Sequence, residues 1–409
     1  MIGRSYEEER DLAAVTRMWR ECGWIDDSDE QAAGLRHFLS CGSTQVADID
    51  GDAEAAVHVA SGTFRHQRRD FPLAAITAVT TSHVGRHQGL ASRLLAEQLA
   101  TAASEGAAVS VLGMFEQGFY DRLGYGTGSD EHRHTFDPAN LTVPVPRATP
   151  VRLGPDDHDE IHALLVRRHR GHGSVVLDPP EILAAELRWA EQLVALGYRD
   201  PDDGRLTHFL AADMQDEHGP LVVRWLAYER PSQALELLGL LRGLSDQFRL
   251  VELHVEPPEV HVQDVLRTPN RSESYADLLG WRGGLHRSYA EMQVRILDLR
   301  AAVAALTSPV ECTFGLRLDD PLARLDGSPW PGVGGDHTVR IGAEPSVDDG
   351  LAGEVPVLEA SVGAFSRLWV GALPASSLVL TDELTGPDDL LTTLDAAVRL
   401  PTPADTWSF

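Results

Sequence analysis

An α/β (α+β) fold is predicted by three features of this 409-residue sequence. Apolar runs of strand length alternate with stripes of helical period, glycine turns separate them, and proline-rich punctuation divides the chain. Leu12, Val15 and Trp19 fall on one face of a helix after the acidic start EEER. Residues 74–81 (AAITAVTT) read as a buried strand. Glycines follow at 85 and 89, and then Leu90, Leu94, Leu95 and Leu99 stripe an Ala-rich helix. Residues 109–115 (VSVLGMF) form a second buried strand, and residues 118–123 fit one or two helical turns closed by Gly124.

Two punctuation zones set the expected domains. Prolines at 138, 144, 146, 150 and 155 make residues 137–155 an extended linker, because proline blocks helix and central strand alike. A softer boundary falls near residues 285–290, between LLGWRGG and the strand-like run MQVRILDL at residues 292–299. The expected units are 1–137, 150–287 and 288–409. The second opens with a strand at residues 150–153 and a helix with Ile161, Leu164 and Leu165 on one side, so it could repeat the first fold. The third mixes short strands with helices near residues 361–371 and 388–399. No repeat of 20–50 residues is present.

Composition narrows the partners. Hydrophobic residues at 43% and charged residues at 24% describe an ordinary globular chain. No run reaches the ~18 apolar residues of a membrane helix. The start MIGRSYEEER lacks the apolar stretch of a signal peptide, so the expected location is the cytoplasm. Sixty-two acidic against 35 basic residues leave a net charge of −27, and every basic residue is Arg. Such a polyanion repels nucleic acid and anionic lipid and attracts cationic amines. Cys22, Cys41 and Cys312 form no CxxC pair, and His132 with His134 or His158 with His162 lack the context of a zinc site. No metal is expected, and both histidine pairs read as surface residues.

The chemistry concentrates at Arg86, His87, Gln88, Gly89, Leu90 and Ala91, between a strand and a helix. A pyrophosphate needs converging N–H donors and little bulk. A helix N-terminus supplies free amides and the positive dipole end, Gly89 lets the backbone come close, and Arg86 adds a charged fork. Arg168 to Gly173 (RHRGHG) has similar spacing but follows a helix and runs toward Pro179–Pro180, so it reads as a helix-ending loop.

In this context the stretch resembles the acyl-CoA motif of the GCN5-related N-acetyltransferases (GNAT). The resemblance implies that Val79, Thr80 and Thr81 pair through their backbone with the pantetheine arm of acetyl-CoA. It assigns the pyrophosphate to Arg86, His87, Gln88, Gly89, Leu90, Ala91 and Ser92. Residues 116–126 (EQGFYDRLGYG) are similar to the E-x-G-x-Y-x-R-F-G-Y-G signature of the Eis-type subfamily, with Leu123 in place of Phe. Phe115 and Glu116 then lie at the cofactor. SRLWVGA at residues 366–372, followed by Ala375 and Ser376, resembles that subfamily's L-Y-L-G-x-x-x-A-S run, and the chain ends, as that family does, in Phe409. The implied architecture is a catalytic GNAT domain, a degenerate GNAT-like domain and a sterol-carrier-protein-like domain, assembled as a homohexamer. The usual motif proline is replaced near His83–Val84, the arginine run is reduced to Arg86, and Ser408 stands where Glu is common.

Acetyl transfer to an amine needs a proton for the leaving thiolate, and a phenol with an ordinary pKa near ~10 keeps one at neutral pH. Tyr120 and Tyr125 are equal candidates on residue type, and the resemblance selects Tyr120 as general acid. It also makes the terminal carboxylate of Phe409 the general base. Three readings follow: an Eis-like enzyme for multi-amine compounds such as aminoglycosides, a tandem acetyltransferase for one small amine, or a CoA-binding protein without transfer chemistry. Residues 291–409 carry 18 acidic and 7 basic side chains, a net of 7 − 18 = −11, which suits a cationic substrate.

Overall fold

The computed structural model describes residues 3–116, 118–190, 192–215, 219–255, 257–268 and 284–404. Three sheets organise them. The first has eight strands. Its order is Gly3–Ser5, Ser43–Ile49, Asp52–His66, Arg69–Thr81, Val109–Gly113, Met292–Ile296 and Gly126–Thr127, and Val175–Leu177 adds to the outer half of Asp52–His66. All its pairings are antiparallel except Arg69–Thr81 with Val109–Gly113. Parallel neighbours need a crossover, and helix Leu90–Ser104 provides it.

Strand alternation divides the core. Ala55, Val57 and Val59 face Leu90, Leu94, Leu95 and Leu99 of that helix. Ala56 and Ala60 face the opposite way, toward Val15, Met18 and Trp19 of helix Glu8–Glu21 and Leu35 and Phe38 of helix Asp29–Leu39. A side chain every second residue on each face is what lets one Ala-rich strand serve two layers.

The second sheet runs Leu285–Tyr289, Glu131–Phe136, Val251–Leu253, Leu221–Tyr228, Leu206–Met214, Leu193–Arg199 and Val151–Leu153. The third runs Ser346–Asp349, Gly335–Ile341, Cys312–Asp319, Val357–Ser361 and Leu384–Thr385. Helices Val362–Trp369 and Asp388–Ala397 lie close to the spans expected from sequence.

Sheet membership interleaves the sequence segments. Glu131–Phe136 leaves the first segment to pair in the second sheet. Met292–Ile296, expected to open the third unit, instead inserts between Val109–Gly113 and Gly126–Thr127. The segments also meet at a buried aromatic junction. His66 stacks on Trp369 at 4.4 Å and its Nε2–H donates to the Trp369 carbonyl at 2.9 Å. His172 Nε2–H donates to the Val370 carbonyl at 2.8 Å.

The histidine pairs are spent on structure. His158 bonds the Pro155 carbonyl and His162 the Leu177 carbonyl. His134 is not a surface residue: it is buried, with its ring stacked 4.5 Å from His286. The loop from Arg168 ends a helix as expected, and the Arg168 guanidinium caps the Leu165 and Val175 carbonyls.

Candidate active site

The site begins where two parallel strands part. Arg69–Thr81 pairs with Val109–Gly113 only as far as Ile76 opposite Leu112. On its other edge it stays paired with Asp52–His66 through Thr80 opposite Ala56 and Thr81 opposite Ala55, with a register shift between Ala56 and His58. Ala78 sits in that irregularity at φ +50°, a left-handed conformation that turns the strand away from its parallel neighbour. The backbone of Val79–Thr81 therefore leaves its parallel partner behind, with one edge of its peptide groups directed into the opening. The sequence places the strand but carries no signal for the bulge.

The loop after Thr81 is pinned at its base. Ser82 N–H donates to the Glu54 carbonyl at 2.9 Å, and His83 N–H to Glu21 Oε2 at 2.8 Å. Beyond it, Arg86, His87, Gln88 and Gly89 are exposed. His87 and Gly89 both have positive φ, +61° and +73°. Gly89 caps helix Leu90–Ser104 with no side-chain hydrogen bond, and the first turn holds no acid. The first amides of the helix, at Leu90, Ala91 and Ser92, are thus open at its positive dipole end. A Cβ on Gly89 would meet only Arg93 Nε, at 3.9 Å. This acid-free, uncapped terminus beside Arg86 and Arg93 fits a pyrophosphate.

The third element is the turn after strand Val109–Gly113. Phe115 and Glu116 are exposed, Phe115 by 85%, at the end of that strand. The strand stops two residues before the expected Phe115, and just beyond its end Met114 N–H donates to the Glu291 carbonyl at 2.6 Å. Tyr120 follows. It is 5% exposed and packs in the cluster that holds Leu90, Ile76 and Leu112, with Val79, Met114 and Phe119 against it. The structure thus brings Val79, Leu90 and Tyr120 to one face of the sheet. The expected helical turns reduce to one 3-10 turn, Asp121–Leu123, closed by Gly124.

The two tyrosines differ in their hydroxyls. Tyr125 OH lies 2.6 Å from Ser110 Oγ, and Ser110 donates its own proton to the Ala74 carbonyl, so Tyr125 is the donor and its proton is committed. Among the described residues Tyr120 OH has no hydrogen-bond partner. Burial, with a smaller contribution from Glu116, pushes its pKa up to about 12. Phe409 lies outside the described residues. The chain is tied just before them: Ala404 N–H donates to the His172 carbonyl at 2.8 Å, and Ser129 Oγ bonds the Pro403 carbonyl. Among the described residues no group of three or more His, Cys, Asp or Glu could hold a metal ion.

Sequence reasoning missed what lies beneath Tyr120: Gln293, Arg295 and Asp320. The signal was available in MQVRILDL, where two polar residues at alternate positions break an otherwise apolar strand and must share a face.

Splayed parallel strands and an uncapped helix N-terminus, with Tyr120 beside them, make an opening whose backbone groups and positive dipole end suit an extended, phosphate-bearing ligand. A family model described as an acetyltransferase (GNAT) domain matches residues 4–128. The chain therefore carries a GNAT-type N-acetyltransferase domain. Over its whole length the fold is that of Eis1 from Mycobacterium abscessus, with a TM-score of 0.78, 17% identity and 100% of both chains covered. A probable N-acyltransferase from Enterococcus faecalis V583 gives a TM-score of 0.80 at 17% identity, covering 100% of this chain and 99% of that one. A GCN5-related N-acetyltransferase from Kribbella flavida gives 0.73 at 19% identity, covering 100% and 98%. No curated protein matches the sequence significantly.

Proposed function

We propose that the protein transfers the acetyl group of acetyl-CoA to amines of multi-amine compounds, aminoglycosides among them, without a covalent enzyme intermediate. The observation that carries this reading is the parting of the strands at Ile76 beside the acid-free N-terminus of helix Leu90–Ser104. Val79, Thr80 and Thr81 offer backbone groups to the pantetheine arm. Arg86 to Ser92 hold the pyrophosphate, and Phe115 and Glu116 border the thioester end. The net charge of −27 favours a cationic acceptor.

The amine nitrogen attacks the thioester carbon, a C–N bond forms and the C–S bond breaks. Tyr120 gives its proton to the departing sulfur. With its pKa pushed up to about 12 it is protonated across the usable pH range. The terminal carboxylate of Phe409 takes the ammonium proton, a role that rests on the Eis resemblance alone. The same resemblance supports a homohexamer and a cytoplasmic location. No helix among the described residues is long and apolar enough to cross a membrane.

The test is acetyl-CoA consumption across a panel of amines: aminoglycosides, polyamines, single-amine sugars and basic peptides. Turnover concentrated on multi-amine compounds is expected. Turnover of one monoamine alone would replace this reading with a small-amine acetyltransferase. Tight CoA binding without turnover would make it a CoA-binding protein.

A further inference from the structure

The Tyr120 turn is not held by its own domain alone. Strand Met292–Ile296 joins the first sheet from some 170 residues further along the chain, between Val109–Gly113 and Gly126–Thr127. Two of its side chains reach the turn. Gln293 Nε2 donates to Asp121 Oδ1 at 2.7 Å, one residue after Tyr120. Arg295 Nη1 donates to the Leu123 carbonyl at 2.5 Å, at the end of the same turn. Arg295 is in turn fixed by Asp320, 2.6 Å away, and both side chains are fully buried. Asp320 is anchored by the backbone N–H groups of Leu322 at 3.0 Å and Val333 at 2.9 Å. Trp330 covers the guanidinium, with its ring centre 5.7 Å from Cζ.

The glycines of the signature have a physical reason here. Gly124 has φ +82°, and a Cβ on it would lie 1.7 Å from Arg295 Nη1 and 2.4 Å from Val362. A Cβ on Gly126 would lie 2.3 Å from the Gly363 carbonyl oxygen. Any side chain at either place would push the late segment off the turn.

We propose that Gln293, with the buried Arg295–Asp320 pair behind it, positions Tyr120 for proton donation, so that the late part of the chain sets the geometry of the catalytic acid. This rests on the reading of Tyr120 as general acid. The three residues touch neither substrate nor cofactor; they act through the Asp121 side chain and the Leu123 carbonyl. Gln293 suits such a task because its amide is held between two acceptors, Asp121 Oδ1 at 2.7 Å and, more loosely, Thr127 Oγ1 at 3.4 Å. Its Oε1 is buried without a partner, so it is a poor choice for stability alone.

The experiment is a double-mutant cycle on the full chain. Gln293→Met keeps volume and removes the donor. It is expected to lower kcat about tenfold, with KM for acetyl-CoA within about twofold and no loss of melting temperature, because a misplaced acid weakens only the transition state. In the Tyr120→Phe background the same change is expected to cost less than about twofold, since nothing is left to position. Asp121→Leu breaks the contact from the exposed side and should match Gln293→Met, whereas Asp121→Asn keeps the acceptor and should restore at least half of kcat. Equal losses from Gln293→Met in both backgrounds would overturn the positioning role while leaving Tyr120 as the acid. A silent Tyr120→Phe would overturn the acid itself, and this proposal with it. A fall in melting temperature that parallels the fall in kcat would reduce Gln293 to a structural residue.

Discussion

Placing a carboxylate at position 89 puts one negative charge where the pyrophosphate should bind, and the structure allows the cost to be divided. Gly89 has φ +73°, so any other residue there pays about 1 kcal/mol for the left-handed backbone. Nothing crowds the site, because a Cβ meets only Arg93 Nε at 3.9 Å. Gly89→Ala therefore reports the backbone term, and stability should fall by about 1 kcal/mol while CoA affinity drops less than about fivefold. Gly89→Glu adds the charge. At roughly 6 Å from a phosphate and an effective dielectric of about 20, one unit charge costs about 3 kcal/mol, or about a hundredfold in Kd. The new carboxylate would also neutralise Arg93, deepening the loss. Titration calorimetry of CoA on the two variants, at low and at high salt, separates the parts, because only the charge term shrinks with ionic strength. A Gly89→Glu protein that binds CoA within about threefold of the parent would remove the pyrophosphate from this helix terminus.

Tyr120→Phe should lower kcat by roughly 10²–10⁴ with acetyl-CoA affinity nearly unchanged. Tyr125→Phe should cost about 1 kcal/mol of stability through its lost bond to Ser110 and leave kcat near the parent, and the reverse pattern would exchange the two tyrosines. Acid should unfold the protein through its buried imidazoles. Desolvation lowers His58 and His66 from 6.5 to about 4. The unfolded chain then binds more protons between those values, so stability is complete above pH 6.5 and falls as pH drops toward 4. Each residue is worth about 3 kcal/mol over that window, and denaturant midpoints that stay flat from pH 7 to 4.5 would refute the assignment. A chain cut before Met292 should fail to give a folded, CoA-binding protein, because it bares the edge of Val109–Gly113 and leaves the Tyr120 turn without Arg295. A monomeric, CoA-binding fragment of residues 1–291 would show the first sheet to be self-sufficient.

What could be read from sequence was local. The loop Arg86–Ala91 was separable from its look-alike at Arg168 because one follows a strand and the other a helix, and context of that kind lies within a few residues. The stripe Leu90, Leu94, Leu95, Leu99 marked a helix for the same reason. The splay was not legible, because it depends on Ala78 adopting a left-handed φ and on where pairing with Val109–Gly113 stops. Neither leaves a residue-type signature: alanine is an ordinary strand residue here, and register is decided by partners.

The partner of MQVRILDL was equally hidden. Its length and apolar alternation define a strand, but nothing in it names the strand beside it, since side-chain packing rather than backbone preference selects the neighbour. The polar residues at 293 and 295 held the only hint. A glutamine and an arginine on one face of a buried strand must find partners, because leaving them unpaired costs more than the strand gains. Those partners are Asp121, the Leu123 carbonyl and Asp320, each far away in sequence. The same contact explains why the signature reads L-G-Y-G rather than a run of larger residues: Gly124 and Gly126 are the places where the late segment closes on the turn. A motif that looks local in the sequence is thus one half of a long-range interface, and a substitution at Gly124 should act on the catalytic turn by displacing Arg295 rather than by altering any group that touches substrate.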